Sequence, residues 1–160
     1  MKYGKTVTAL YGIVILLAFS PVLTSEAGAQ PHDRTTGIGV VIGEPSGLTA
    51  KLWLTQRDAV SGGAAWSFRG NTTVHLHADY IRHNFEAIHV NRGSMAFYYG
   101  VGGRLLLGND DRIGVRIPLG LSYFFENDPL EIFLEVAPIL DLAPATEFTG
   151  NSGLGLRFYF

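Results

Sequence analysis

Two histidines and an aspartate occupy alternate positions of one short segment, and side chains of these types bind metal ions. They are His75, His77 and Asp79. If the segment is a strand, alternate side chains share one face, so neutral imidazoles at positions 75 and 77 point the same way and can chelate zinc or another divalent ion. A further ligand must come from elsewhere in the chain, and none is marked. We therefore predict that these residues form hydrogen bonds in a protein interior, with no metal and no cofactor.

A second polar set contains four cations and four anions, and it shares Asp79 with the first set. The cations are Lys51, Arg104, Arg116 and Arg157, and the anions are Asp79, Glu131, Glu135 and Asp141. This balance predicts ion pairs in an interior, because charges removed from water need opposite charges and hydrogen bonds. A gate or a path for ions is the functional alternative. The role of these charges depends on the elements that position them.

Short strand-like segments separated by turn residues make up the chain after residue 30. No stretch there keeps the i, i+3, i+4, i+7 apolar spacing of a helix, and none is apolar for long enough to be a transmembrane helix. The predicted strands are residues 35–43, 48–55, 59–68, 72–82, 94–107, 112–125, 130–142 and 153–160. Eight is an even number, and it is the smallest number of strands in bacterial outer-membrane barrels. We predict an all-β, eight-stranded, antiparallel up-and-down transmembrane barrel.

Apolar and polar residues alternate regularly within these strands. Ile117, Leu134 and Leu156 belong to the apolar phase, whereas the polar phase is rich in glycine and carries the eight charges. A face in water is normally rich in Lys, Glu, Ser and Thr, so the glycine-rich phase fits the crowded interior of a small barrel, and the apolar phase then faces lipid. Pro118 and Pro138 each remove one backbone donor from a strand, and we expect bulges there.

Charged residues make up 16% of the chain, against about 25% in ordinary globular proteins. A chain this poor in charge must bury much of its surface or face lipid. The alternative with the same alternation is a soluble periplasmic carrier of lipocalin type, in which the faces are inverted and Leu, Ile and Val fill the lumen.

The first 29 residues have the features of a secretory signal peptide. A positively charged start precedes an apolar run over residues 7–19, and small residues at 27–29 form a cleavage site. The run is shorter than the roughly 18 to 20 apolar residues that cross a bilayer. We predict cleavage after Ala29 and a single barrel domain over residues 30–160. The chain has no cysteine for disulfides, and its net charge of −2 gives no reason to expect nucleic acid as a partner.

Several segments resemble small eight-stranded outer-membrane proteins of bacteria. The final segment, residues 154–160, ends in phenylalanine, and residues 102–104, 114–121 and 129–142 look like those of a largely uncharacterised group of outer-membrane β-barrel proteins. The resemblance covers the whole predicted mature chain and implies a location in the outer membrane, in contact with its lipids. It also implies that the barrel-assembly machinery reads Phe160. We predict a structural or interaction protein with a closed polar interior and no open pore.

The wider class contains lipid-modifying enzymes that resemble this chain in size and carry a serine and a histidine on the lipid-facing surface near one rim. His83 directly precedes the longest predicted connection, about residues 84–92, His89 lies within it, and Ser94 is close by. A nucleophile, a base and an orienting group cannot be assigned from this spacing. A lipid-modifying enzyme is therefore the alternative function, and the primary prediction is a protein without enzymatic activity.

Overall fold

Strands and their connections account for all the residues that the computed structural model describes, which are 34–67, 73–108 and 111–160. The strands are β1 (Thr36–Glu44), β2 (Ser46–Trp53), β3 (Asp58–Ser67), β4 (Thr73–Asn84), β5 (Ser94–Leu107), β6 (Arg112–Arg116), β7 (Leu119–Phe124), β8 (Leu130–Ala143) and β9 (Glu147–Tyr159). Within these ranges no helix is long and apolar enough to span a membrane. The predicted signal peptide and its cleavage site lie outside the described residues.

Antiparallel pairing closes the sheet into a ring. β1 to β5 pair in chain order, β6 and β7 both pair with β5 and β8, and β9 pairs with β8 and with β1. Because β6 and β7 lie between the same two neighbours, they are the two halves of one long strand. The ring therefore has eight strand positions, which confirms the predicted eight-stranded up-and-down barrel.

The break between β6 and β7 contains Pro118, whose ring nitrogen cannot donate a hydrogen bond to a neighbouring strand. β6 and β7 nevertheless keep one register against β8, because Arg116 and Leu119 face positions of β8 that are also three residues apart. The register is likewise unshifted at Pro138, inside β8. The expectation of bulges at the two prolines is therefore wrong. The shift in this part of the sheet follows Ile113 instead.

The last strand is longer than predicted. We expected it to begin at residue 153 after a loose stretch, but β9 begins at Glu147 and pairs with β8 from Asp141 onwards. The sequence of residues 149–153 is made of small and polar side chains, so it carries a weak strand signal. The long partner strand β8 supplies the ladder, and strand backbone N–H and C=O groups are stabilised by such hydrogen-bond partners.

Side-chain burial places most of the aliphatic residues outside and the charges inside the barrel, with Ile81 and Ile139 as buried aliphatic exceptions. Ile117, Leu134 and Leu156 are 49%, 52% and 42% exposed, whereas Arg116 is 2% exposed. This is the sidedness that the alternation predicts. It is the reverse of a lipocalin-type carrier, whose lumen would hold the aliphatic side chains.

The outward apolar residues form a belt around the barrel, with exposed large hydrophobic side chains on all eight strand positions. On β5 the belt extends from Phe97 to Leu107. At about 3.3 Å per residue and a strand tilt of about 40°, these ten steps correspond to a height of roughly 25 Å. This height matches the apolar band of outer-membrane barrels.

The two ends of the barrel differ in their connections. We call the end that carries Arg34 and Phe160 the termini end, and the opposite end the far end. The termini end has the connections 54–57, 85–93 and 125–129, and the far end has Pro45 between β1 and β2 and residues 144–146 between β8 and β9. The longest of these connections, residues 85–93, therefore lies at the termini end.

Candidate functional site: the polar lumen

Glu131 is the centre of a hydrogen-bond network near the termini end, which we call the termini-end layer. Its carboxylate is fully buried and accepts hydrogen bonds from Lys51 Nζ at 2.8 Å and from Arg157 Nη1 at 3.2 Å. The hydroxyls of Ser122 and Tyr159 also donate to it. Two cations and two hydroxyls thus compensate one carboxylate, which is the condition under which a charge is tolerated away from water.

Arg116 organises the middle layer. Its Nε donates to Asp79 Oδ2 at 3.0 Å, and its Nη2 donates to Glu135. Tyr98 Oη donates to the other oxygen of Glu135 at 2.8 Å. His77 Nε2 lies 3.9 Å from Asp79 Oδ2, which is too far for a hydrogen bond. The middle layer therefore joins one guanidinium to two carboxylates, with His77 at its edge.

Asp141 anchors the far-end layer. Arg104 Nη2 donates to Asp141 Oδ2 at 2.6 Å and to Thr149 Oγ1 at 3.1 Å. Arg112 pairs with Glu147, and its Nη1 lies 3.7 Å from Asp141 Oδ2. The side chain of Asp141 is fully buried, but those of Arg112 and Glu147 are 31% and 54% exposed. This layer therefore meets solvent at the far end.

Two lumen-facing glycines make room for the carboxylates. Asp79 Oδ1 and Asp141 Oδ1 are buried and have no hydrogen-bond partner in the described part of the chain. A Cβ added at Gly102 would lie 2.1 Å from Asp79 Oδ1, and one added at Gly114 would lie 2.5 Å from Asp141 Oδ1. Each oxygen thus lies beside a glycine, whose Cα–H group is the available weak donor.

Aromatic rings pack together in the lumen at the termini end. Lys51 Nζ lies 4.5 Å from the ring centroid of Trp53 and 5.2 Å from that of Phe124, within range of a cation–π interaction. The ring of Phe85, from the connection 85–93, lies 6.3 Å from Trp53 and 5.8 Å from Phe124. We call the rings of Trp53, Phe85, Tyr98 and Phe124 the aromatic plug.

His83 belongs to the lumen, although its position beside the longest predicted connection indicated a place at the rim. It is 1% exposed, its Nε2 lies 2.8 Å from Lys51 Nζ and its Nδ1 lies 3.2 Å from the Arg57 carbonyl oxygen. Because an ammonium group only donates, we assign Nε2 as the acceptor and place the ring proton on Nδ1. The alternation of β4 could have revealed this position, since residue 83 shares the parity of 75, 77 and 79.

The ten predicted lumen residues are all buried or half-buried, and nine of them belong to the three layers, whereas His75 belongs to none. His75 is half-buried near the far end, and its Nδ1 has no hydrogen-bond partner among the described residues. No group of three His, Cys, Asp or Glu side chains within the described ranges is placed to hold a metal ion. Of the residues considered for a rim enzyme, His89 is exposed and Ser94 begins β5, while His83 is buried in the lumen.

A recess lined by polar and apolar side chains opens between the middle layer and the far end. Its volume is about 40 Å³, which is room for only a few water molecules. Its lining includes Glu44, Thr49, His77, Arg116, Glu135 and Asn151. Side chains of both charge signs thus surround a small space, in contrast to the aromatic plug at the opposite end.

The fold is similar to that of a known outer-membrane protein domain. The crystal structure of the N-terminal β-barrel domain of Pseudomonas aeruginosa OprF matches with a TM-score of 0.58 and 14% sequence identity, over 79% of this chain and 98% of that one. The chain has the fold of an outer-membrane β-barrel. At this identity the likeness concerns the fold alone. No protein-family model and no curated protein sequence matches the chain, so the narrower resemblance to an uncharacterised group stays a prediction.

Proposed function

We propose that the protein is inserted in a bacterial outer membrane as a closed, non-conducting barrel with a structural or interaction role and no enzymatic activity. One observation carries the proposal: exposed apolar side chains form a belt on all eight strand positions while the charges are paired inside. In water such a belt would be unfavourable, because large contiguous apolar surfaces mark contact with a membrane or a partner. In lipid the closed ring pairs the backbone and the belt meets hydrocarbon.

The contents of the lumen support a closed interior. The aromatic plug occupies the termini end, and the ion pairs of the three layers follow one another from there toward the far end. The recess at the far end has room for only a few water molecules and leads onto Arg116 and Glu135. An eight-stranded barrel is just wide enough for side chains to fill it, so steady ion flow requires these pairs to separate.

The two tryptophans provide a direct test of membrane insertion. Trp66 faces outward and is 42% exposed, whereas Trp53 lies in the aromatic plug and is 6% exposed. We expect brominated phospholipids to quench the fluorescence of a Trp53→Phe variant, which retains Trp66, much more than that of a Trp66→Phe variant. Equal quenching of the two variants, or quenching of neither, would contradict insertion with this sidedness.

Conductance across a planar bilayer tests the closed interior separately. We expect the inserted barrel to show no steady current step. A reproducible step would overturn the closed lumen and leave the insertion itself intact. Its abolition on mutation of Arg116 would then identify the middle layer as the path.

The location and partners belong to the same proposal. Phe160 is 59% exposed and directly follows β9, a strand that closes the ring against β1, which suits its proposed role in recognition by the barrel-assembly machinery. The belt supplies the contact with outer-membrane lipids. Deleting Phe160 and measuring the fraction of barrel that reaches the outer membrane tests the assembly role.

A further inference from the structure

Arg82 is the only cation at an outward-facing position of the strands in the described part of the chain. Its side chain is 54% exposed, near the termini end of β4. From Arg82 toward the far end, the outward positions of β4 are Tyr80, Ala78, Leu76 and Val74, none of which is charged. Arg82 therefore lies at the termini-end edge of the apolar belt.

Aromatic side chains flank Arg82 at this edge. Tyr99 of β5 pairs with Arg82 across the sheet, and Tyr80 is the next outward residue of β4. Tyr80 and Tyr99 are 47% and 48% exposed, and Phe97 lies one outward position from Tyr99. Tyrosine rings at the edge of an apolar belt lie at the level of lipid headgroups, with the hydroxyl available to polar groups.

The guanidinium of Arg82 is available to a ligand. The nearest carboxylate oxygen is Asp58 Oδ1 at 3.7 Å, which is beyond hydrogen-bond distance, and Arg82 forms no hydrogen bond within the described residues. By contrast, Arg57 at the same end donates to Glu86 at 2.6 Å. Asp58 weakens the positive field at Arg82 and is the hydrogen-bond partner of the Tyr80 hydroxyl, but it forms no hydrogen bond with the guanidinium.

We infer that Arg82, with Tyr80 and Tyr99, binds the headgroup of an anionic phospholipid at the termini-end edge of the belt. This inference rests on the proposed membrane insertion. The planar guanidinium matches phosphate oxygens in pairs, and the hydroxyl of Tyr99 donates to the same headgroup. The ring of Tyr80 flanks the site, and the acyl chains continue along the belt. An anionic headgroup is favoured over a zwitterionic one, because a zwitterionic headgroup carries an ammonium group that already balances the charge of its phosphate.

A tryptophan reporter beside Arg82 measures this preference. The reporter is Phe97→Trp in a chain whose Trp53 and Trp66 are replaced by phenylalanine. In vesicles that mix brominated phosphatidylglycerol with plain phosphatidylcholine, we expect quenching to give an about fivefold preference for the anionic lipid, since one cation near the surface contributes about 1 kcal/mol. Arg82→Gln should remove the preference. The matched control Arg57→Gln should retain it.

A second reporter separates the failure of this inference from the failure of membrane insertion. The Trp53→Phe variant, which retains Trp66 near the far end, should be quenched by brominated phosphatidylcholine with no preference for the anionic lipid. If brominated phosphatidylcholine quenches both reporters but neither shows a preference, or if Arg82→Gln leaves the preference unchanged, the headgroup site is wrong and the insertion stands. If neither reporter is quenched by any brominated lipid, the insertion itself is wrong.

Discussion

Adjacent glycines of β5 lie on opposite faces of the barrel wall, so the same substitution at each gives a sharp test of the structure. A Cβ added at Gly102 would lie 2.1 Å from Asp79 Oδ1 and 2.3 Å from the Ala78 carbonyl oxygen. The nearest heavy atom to a Cβ added at Gly103 is 3.9 Å away. Gly102→Ala therefore overpacks the lumen beside the middle layer, whereas Gly103→Ala adds a methyl group to the outer surface.

The expected magnitudes follow from these distances. Ordinary contacts between carbon and oxygen are about 3.3 Å or longer, so the new methyl group at Gly102 overlaps two oxygens by roughly 1 Å. Overpacking of this kind costs about 1–3 kcal/mol, and displacing Asp79 from Arg116 adds to it. We expect Gly102→Ala to lower the free energy of unfolding by about 2–4 kcal/mol. Gly103→Ala should be neutral or raise it by up to about 1 kcal/mol, because glycine weakens a strand.

Urea unfolding of the barrel in lipid vesicles, followed by tryptophan fluorescence, measures both variants under one condition. A double variant with Asp79→Ala isolates the contribution of the carboxylate, and we expect part of the destabilisation by Gly102→Ala to disappear in that background. Equal effects at the two glycines, or a larger loss at Gly103, would refute the assignment of lumen and outer face.

Three further substitutions, the first with a matched control, test other parts of the structure. Glu131→Gln leaves two buried cations without their anion, so it should lower the free energy of unfolding by about 3–5 kcal/mol, while Glu126→Gln in an exposed turn should change it by less than about 0.5 kcal/mol in the same urea assay. Leu134→Arg on the outer face should destabilise the barrel in lipid by about 2–4 kcal/mol, as seen in the fraction that keeps heat-modifiable gel migration. His89→Ala should leave the lipid composition of the membrane unchanged, and a change in lipid acylation would instead support the enzyme.

The sequence determined the architecture because the strand alternation is local. Alternate residues of each strand belong to opposite faces. A face rich in glycine and poor in charge fits the interior of a narrow barrel, and the aliphatic face then lies on the outside. Positions 75, 77 and 79 were therefore correctly placed on one face without knowledge of their neighbours. The same rule, extended by two positions, would have placed His83 in the lumen as well.

Only the tertiary structure decided which charges pair, because pairing depends on the register between strands that are far apart in the chain. Lys51 and Glu131 are separated by 80 positions, and nothing local distinguishes Glu131 from Glu135 as the partner of Lys51. The register also fixed the start of β9. Its first residues carry a weak strand signal, but they pair with β8. Local periodicity thus specifies the faces of the strands, whereas the contacts across a closed ring exist only once all eight strand positions are in place.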